Sequence, residues 1–163
     1  MSRIYKLSAI GHLLPALLVA LSCAVVAQAQ GAASSFEERQ SEDPVLREYR
    51  GVKIGMNASE VRQKLGDPKE KSDRLDLYQF SDNEMAQIYY DDAKKVMAVA
   101  VIYTGRNSNA PSAKAVLGRE VQARADGSAH LMIRYPKAGY WVSYSRTAGD
   151  EPIVTVTMQR LNP

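Results

Sequence analysis

The chain has 163 residues, of which 45% are hydrophobic and 24% charged, so it can build the core of one ordinary domain or of two very small ones. This composition argues against a disordered protein and against a bundle of membrane-spanning helices. The formal net charge is +3, but Arg3 and Lys6 fall in a predicted leader and the other basic residues are interspersed with acidic ones, so nucleic acid is not expected as a partner.

Residues 1–29 have the pattern of a secretory signal peptide. A basic start is followed by an apolar run over residues 13–21 and by small residues that end in Ala27-Gln-Ala29. We expect cleavage after Ala29 and an exported protein that is periplasmic or associated with the outer membrane, rather than secreted to the medium. The alternative is a lipoprotein, because Cys23, the single cysteine, follows the apolar run. Association with the membrane is expected only if Cys23 is lipidated.

A short capped helix follows a polar stretch over residues 30–43, which is typical of a flexible tether. Asn57 is the predicted N-cap and Glu60, three residues later, completes a capping box. Gly66 suits the left-handed position at the C-terminal end, and Pro68 prevents the helix from continuing. A helix of two to three turns is not stable alone in water, so we expect it to pack on a sheet.

Alternating apolar residues after this helix predict three antiparallel strands, over residues 75–80, 85–90 and 96–103. The second half of the chain has a similar order. Residues 109–118 align without a gap with residues 57–66, and strands are predicted over 131–135, 140–144 and 153–158, with an extra strand possible over 119–124.

This order predicts an α+β fold of two tandem helix-plus-three-strand units that share one antiparallel sheet, with the helices on one face. The predicted boundaries are a first unit over residues 44–105 and a second, degenerate unit over residues 106–163. Chance similarity between two β-meanders is the alternative to a duplication.

A family resemblance rests on the same residues. The string Ile54-Gly-Met-Asn-Ala-Ser-Glu-Val, its close at Leu65-Gly-Asp-Pro68, and the stretches Tyr78-Gln-Phe80 and Ile88-Tyr-Tyr-Asp-Asp-Ala-Lys-Lys-Val96 resemble the BamE (SmpA/OmlA) outer-membrane family. They are also similar to the tandem-repeat fold of β-lactamase-inhibitor proteins. The resemblance covers residues 51–105, and residues 109–160 only through the internal repeat. Asn57 stands where the family has Thr or Ser, and the turn has Ala-Lys where the family prefers Gly.

The resemblance implies non-catalytic binding in the envelope or outside the cell. For the BamE family this is support of outer-membrane β-barrel assembly, and for the inhibitor proteins it is inhibition of an enzyme. The matching residues are mostly caps and core positions, so they indicate fold more strongly than function.

Catalytic and metal-binding patterns are weak in this sequence. His130, the one histidine after the leader, has no cysteine to pair with and is interpreted as a surface histidine on a strand. Asp91 and Asp92 are interpreted as part of a hairpin turn, because the lysines at 94 and 95 would repel a cation. We therefore expect no enzyme activity, no cofactor and no metal.

The distribution of aromatic residues carries the functional hypothesis. If Ile88 and Val142 face the helices, Tyr89 and Trp141 project from the opposite, open face of the sheet, with Tyr140 nearby. Tyr and Trp are favoured anchors for binding, so these three residues are the predicted partner-binding site. The alternative is that residues 44–54 or the second unit cover them.

We therefore expect a non-catalytic interaction or scaffolding module of the cell envelope, with a protein partner such as an outer-membrane assembly component. The alternative function is a secreted or periplasmic inhibitor or ligand-binding protein that uses the open aromatic face.

Overall fold

A computed structural model describes residues 43–161 as seven strands, two α-helices and one short 3₁₀ turn. The predicted leader, Cys23 and the tether as far as residue 42 lie outside the described residues. In chain order the elements are α1 (Ala58–Leu65), β1 (Glu70–Lys71), β2 (Leu75–Ser81), β3 (Glu84–Tyr90), β4 (Val96–Thr104), α2 (Ala113–Leu117), β5 (Ala129–Tyr135), the 3₁₀ turn (Pro136–Ala138), β6 (Tyr140–Arg146) and β7 (Ile153–Arg160). Among the described residues, no helix is long and apolar enough to cross a membrane.

All seven strands form one antiparallel sheet in the order β1-β2-β3-β4-β7-β6-β5. β4 and β7 pair along their length, from Ala98 opposite Gln159 to Thr104 opposite Ile153. The shared antiparallel sheet is present, but the prediction of two tandem helix-plus-three-strand units is wrong, because four strands follow α1, three follow α2, and the two helices are only short additions to one seven-stranded sheet. The class remains partly α+β.

The predicted strands are present, but other predicted elements differ from those in the structure. The six predicted strands are present as β2 to β7, each within a few residues of its predicted ends. β1 was not predicted, and residues 119–124 form no strand. The second helix has five residues and is capped by Ser112, whose hydroxyl accepts a hydrogen bond from the Ala115 N–H, rather than by Asn109.

Asn57 is the N-cap of α1, as the sequence predicts, and its backbone N–H donates to the Glu60 carboxylate at 2.9 Å. Gly66 ends the helix with φ of 82°, but its ψ of −161° lies outside the left-handed helical region that the sequence predicts. Val61, on the inner side of α1, is fully buried in the main core. α1 is thus fixed at both ends and packs its one apolar stripe on the sheet.

One face of the sheet carries the core. Its side chains alternate with those of the opposite face along each strand, as the two-residue period of a strand requires. The buried members from the sheet are Tyr78, Ala86, Ile88, Tyr90, Val99, Val101, Tyr103, Ile133, Tyr135, Tyr140, Val142, Tyr144, Val154, Val156 and Met158, and they cluster with Val61 of α1 and Val116 of α2. Both helices therefore cover this face, which we call the covered face.

The segment before α1 also crosses the covered face. The hydroxyl of Tyr140 donates to the Leu46 carbonyl at 3.1 Å, and Leu46 packs against the core. Farther along, the Arg50 guanidinium lies 4.2 Å from the centre of the Phe80 ring and binds both carboxylate oxygens of Glu84 at 3.2 Å. These contacts hold residues 44–52, which we call the strap, against the covered face and away from the opposite one.

Candidate interaction surface

The strand register defines the opposite, open face of the sheet. We define this open face by the residues of β2 to β7 that the ladder places away from the core: Leu75, Leu77, Gln79, Met85, Gln87, Tyr89, Ala98, Ala100, Ile102, Thr104, His130, Met132, Arg134, Trp141, Ser143, Ser145, Ile153, Thr155, Thr157 and Gln159. Arg134 is the one member with a formal charge on β2 to β7, in a chain whose residues are 24% charged, and the edge strand β1 adds Glu70, which pairs with Leu77. An exposed surface normally contains many charged side chains, so their scarcity on these strands marks the face as unusual.

Two of the predicted anchors stand in one row across this face. The register aligns Tyr89 on β3 with Ala98, Ala98 with Gln159, and Gln159 with Trp141 on β6. Neighbouring strands are roughly 4.8 Å apart, so three steps separate the two aromatic residues by roughly 14 Å. The structure thus brings Tyr89 and Trp141 to one surface without direct contact between them.

Side chains on the open face remain accessible although they are large and apolar. Tyr89 is 36% exposed, Met132 46% and Ile153 42%, while Trp141 is partly buried. The hydroxyl of Tyr89 donates to the side-chain oxygen of Gln87 at 2.8 Å, which fixes the ring over β3. The strap packs on the covered face, so it does not cover these aromatic residues.

Tyr140, the third predicted anchor, is not on this surface. It is 8% exposed and lies on the covered face, where its hydroxyl bonds to the Leu46 carbonyl and its ring lies 6.2 Å from that of Tyr135. Burial raises the pKa of its hydroxyl, which stays protonated at neutral pH. The placement of Tyr140 beside Trp141 on the open face is therefore corrected, since adjacent residues of a strand point to opposite faces.

Small residues on β4 shape the middle of the open face. Ala98 and Ala100 stand between the longer side chains Gln87 and Tyr89 of β3 and Thr157 and Gln159 of β7. Because alanine is shorter than these neighbours, the register predicts a shallow trough along β4, in which Ala98 is 6% exposed. Its two sides carry amide and hydroxyl groups, which donate and accept hydrogen bonds without a net charge.

The most elaborate polar centre was not predicted from the sequence, and it lies on the covered face. Asp76 is fully buried, and its two carboxylate oxygens accept hydrogen bonds from Arg62 Nε at 2.8 Å and Arg62 Nη2 at 2.9 Å. The Tyr90 hydroxyl donates to the same carboxylate at 2.8 Å. Burial, together with this bond, raises the pKa of Tyr90. These three donors satisfy the Asp76 carboxylate in the way that a buried charge requires.

Tyr78 lies beside this centre and differs from Tyr90. It is 3% exposed, and its hydroxyl has no hydrogen-bond partner among the described residues. Burial raises its pKa to about 12, with the negative charge of Asp76 acting in the same direction. The sequence contained one signal for this centre, because period two places Asp76 on the same strand face as the aromatic residues Tyr78 and Phe80.

The other candidate residues lie where the sequence interpretation expected them. His130 is an exposed residue on the open face of the edge strand β5. Asp91 accepts a hydrogen bond from the Lys95 N–H at 2.9 Å, which lowers its pKa, and another from Arg160 at 2.9 Å. Its oxygens are thus used in the turn. Among the residues that the structure describes, no group of three His, Cys, Asp or Glu is placed to hold a metal ion.

Comparison of the chain with known protein families, with curated proteins and with solved structures finds no match.

Proposed function

We propose that this chain is a non-catalytic interaction module that binds a protein partner through its open face. The observation that carries the proposal is the composition of that face, where Arg134 is the single charge on β2 to β7 and Tyr89, Met132 and Trp141 are accessible or partly so. Protein interfaces are depleted of most charged residues at their centre and enriched in aromatic residues, Met and Arg. An accessible apolar patch of this kind on a folded domain typically marks a contact surface.

The proposed place of action is the cell envelope. The signal-peptide pattern of residues 1–29 and the resemblance of residues 51–105 to the BamE family support this place. Neither supplies the identity of the partner. An outer-membrane assembly component is the partner that the resemblance favours.

Photo-crosslinking in the producing cell tests the surface directly. We would place a photoreactive amino acid at position 89 or 141, and as a matched control at Val45, which is 56% exposed on the strap. The expected result is a discrete crosslinked protein from the two positions on the open face and not from position 45. Identical products from all three positions, or none from positions 89 and 141, would contradict the proposal.

Paired substitutions provide the second arm of this test. Tyr89→Ala with Trp141→Ala is expected to abolish the crosslink to a third open-face position, Met132, while the circular dichroism spectrum and the unfolding midpoint stay close to those of the parent. Val45→Ala is the control. Anchors of this type typically contribute about 2 kcal/mol or more to binding, which is enough to lower affinity about 30-fold.

A second candidate function is binding of an uncharged ligand such as an oligosaccharide. The trough along β4, flanked by the amides of Gln87 and Gln159 and by Tyr89 and Trp141, favours this reading, because sugars pack on aromatic rings and bond to amides. The chain contains one tryptophan, so its fluorescence reports on this face alone. A saturable change in this fluorescence on titration with neutral oligosaccharides, lost in Gln159→Ala, would favour ligand binding. No change in the fluorescence would favour binding of a protein partner.

A further inference from the structure

A groove beside α1 collects cationic side chains from three separate elements. Arg62 comes from α1, Lys71 from β1 and Lys94 from the turn between β3 and β4, and together they line a groove of about 390 Å³. Asp73 is the one carboxylate in this lining. Including the buried Asp76 behind Arg62, the cluster keeps one positive charge in excess.

Arg62 is held rigidly in this groove. Its Nε and Nη2 bind the buried Asp76 carboxylate, while Nη1 has no hydrogen bond to any residue of the range 43–161. The side chain is 27% exposed, and the bond to Asp76 raises its pKa, so it stays charged. A guanidinium fixed through two of its nitrogens presents the third as a preorganised donor.

Lys71 stands next to this guanidinium. The β1–β2 register pairs Lys71 with Asp76, so its side chain leaves the sheet on the same side as that carboxylate. Lys71 is exposed and forms no ion pair with a described residue. Its ammonium is therefore available to a ligand.

Lys94 also lines the groove. Its backbone is in the left-handed region, with φ of 59°, and its ammonium binds the Asp73 carboxylate at 2.9 Å and the Asp73 carbonyl at 3.1 Å. The Asp73 side chain is 92% exposed, so this ion pair is weak and can exchange for another anion.

We propose that this groove binds a phosphate group, carried by a small phosphate ester or by a lipid headgroup. The donors that line the groove come from a helix, a strand and a turn. A phosphate group offers three terminal oxygens to such donors, whereas a carboxylate offers two in one plane. The groove lies on the covered side of the sheet, so the inference is independent of the function proposed for the open face.

Titration with inorganic phosphate at low ionic strength, followed by ¹⁵N nuclear magnetic resonance, tests the site. We expect saturable shifts at residues 58, 62, 71, 72 and 94, and affinity about tenfold lower in Lys71→Gln and in Lys94→Gln, since each removes one charged hydrogen bond. Lys69→Gln and Lys95→Gln are the matched controls. They remove the same charge from neighbouring positions outside the groove lining, and their affinity should stay within twofold of the parent. Arg62 is left intact because it also holds α1.

Further measurements distinguish a small phosphate ester from a lipid headgroup and compare phosphate with acetate. Titration with glycerol phosphate tests a small phosphate ester. Sedimentation with phosphatidylcholine vesicles, with and without phosphatidic acid, tests a lipid headgroup. Loss of either interaction in Lys71→Gln supports the site and shows which molecule carries the phosphate group. Acetate should bind at least about tenfold more weakly than phosphate. Equal loss in the control variants, equal affinity for acetate, or no saturable shift with phosphate would overturn the proposal.

Discussion

The two faces of the sheet use the same strands for opposite purposes. The covered face buries a continuous set of tyrosines and aliphatic side chains beneath two helices and the strap, and its buried charge, Asp76, is fully paired. The open face carries Arg134 as its one charge on β2 to β7 and leaves Tyr89, Met132 and Ile153 accessible. The difference separates stability from association: substitutions on the covered face should change the free energy of unfolding, and those on the open face should change binding.

The largest expected effect is at the buried ion pair. Arg62→Met would leave the fully buried Asp76 carboxylate without its cation, and removing one partner of such a pair typically costs about 3–5 kcal/mol. Urea unfolding monitored by circular dichroism measures the loss. The control is Arg74→Met, which removes an exposed guanidinium paired with Asp92 and should change the midpoint little. Equal losses in the two variants would show that the Asp76 pair is not part of what stabilises the covered face.

A sharper comparison uses adjacent residues of one strand. Ile133 and Met132 are neighbours on β5, but Ile133 is 7% exposed on the covered face and Met132 is 46% exposed on the open face. Ile133→Ala should lower the free energy of unfolding by about 2–4 kcal/mol because it leaves a cavity, and Met132→Ala should lower it by less than about 1 kcal/mol. Similar losses from both would indicate that the open face is packed against something in the folded protein.

Removing one hydroxyl group from either of two buried tyrosines tests the polar centre around Asp76. Tyr90→Phe removes the hydroxyl that donates to Asp76 and should cost about 1–2 kcal/mol. Tyr78→Phe removes a hydroxyl that has no partner within the described chain, so it should be neutral or slightly stabilising. Unfolding midpoints of the two variants, measured side by side, check the difference. A loss in Tyr78→Phe as large as that in Tyr90→Phe would mean that the Tyr78 hydroxyl is satisfied after all.

Most strands could be predicted from the sequence because alternation is a local signal. β3 and β4 are dense in β-branched and aromatic residues, and their neighbours are short turns. β1 has two charged residues and no apolar pattern, so nothing local marks it as an edge strand. The pairing of β4 with β7 joins residues 49 to 61 positions apart, and no local pattern specifies such a partner.

The candidate site was predictable in part for the same reason. Period two placed Tyr89 and Trp141 opposite the core, and the structure agrees. The same rule, applied strictly, places Tyr140 with Val142 on the covered face, where it lies. Asp76 was missed because a carboxylate in a strand normally indicates a solvent-exposed position. Its cation, Arg62, is 14 residues earlier on a helix, and only the fold brings the two together.

Substitution of Arg134 is expected to change stability least and to be the most informative about association. This residue is exposed on the edge strand β5, opposite Trp141 in the ladder, and a single charge at a sheet edge hinders pairing with other chains. Arg134→Ser should leave the free energy of unfolding within about 0.5 kcal/mol of the parent. It should also raise self-association at high protein concentration, measured by analytical ultracentrifugation. Arg124→Ser, in the loop before β5, removes the same charge at a loop position and should leave self-association as in the parent. If both variants self-associate to the same extent as the parent, the selectivity of the open face does not depend on this charge, and it must come instead from the shape set by Tyr89, Trp141 and the alanines between them.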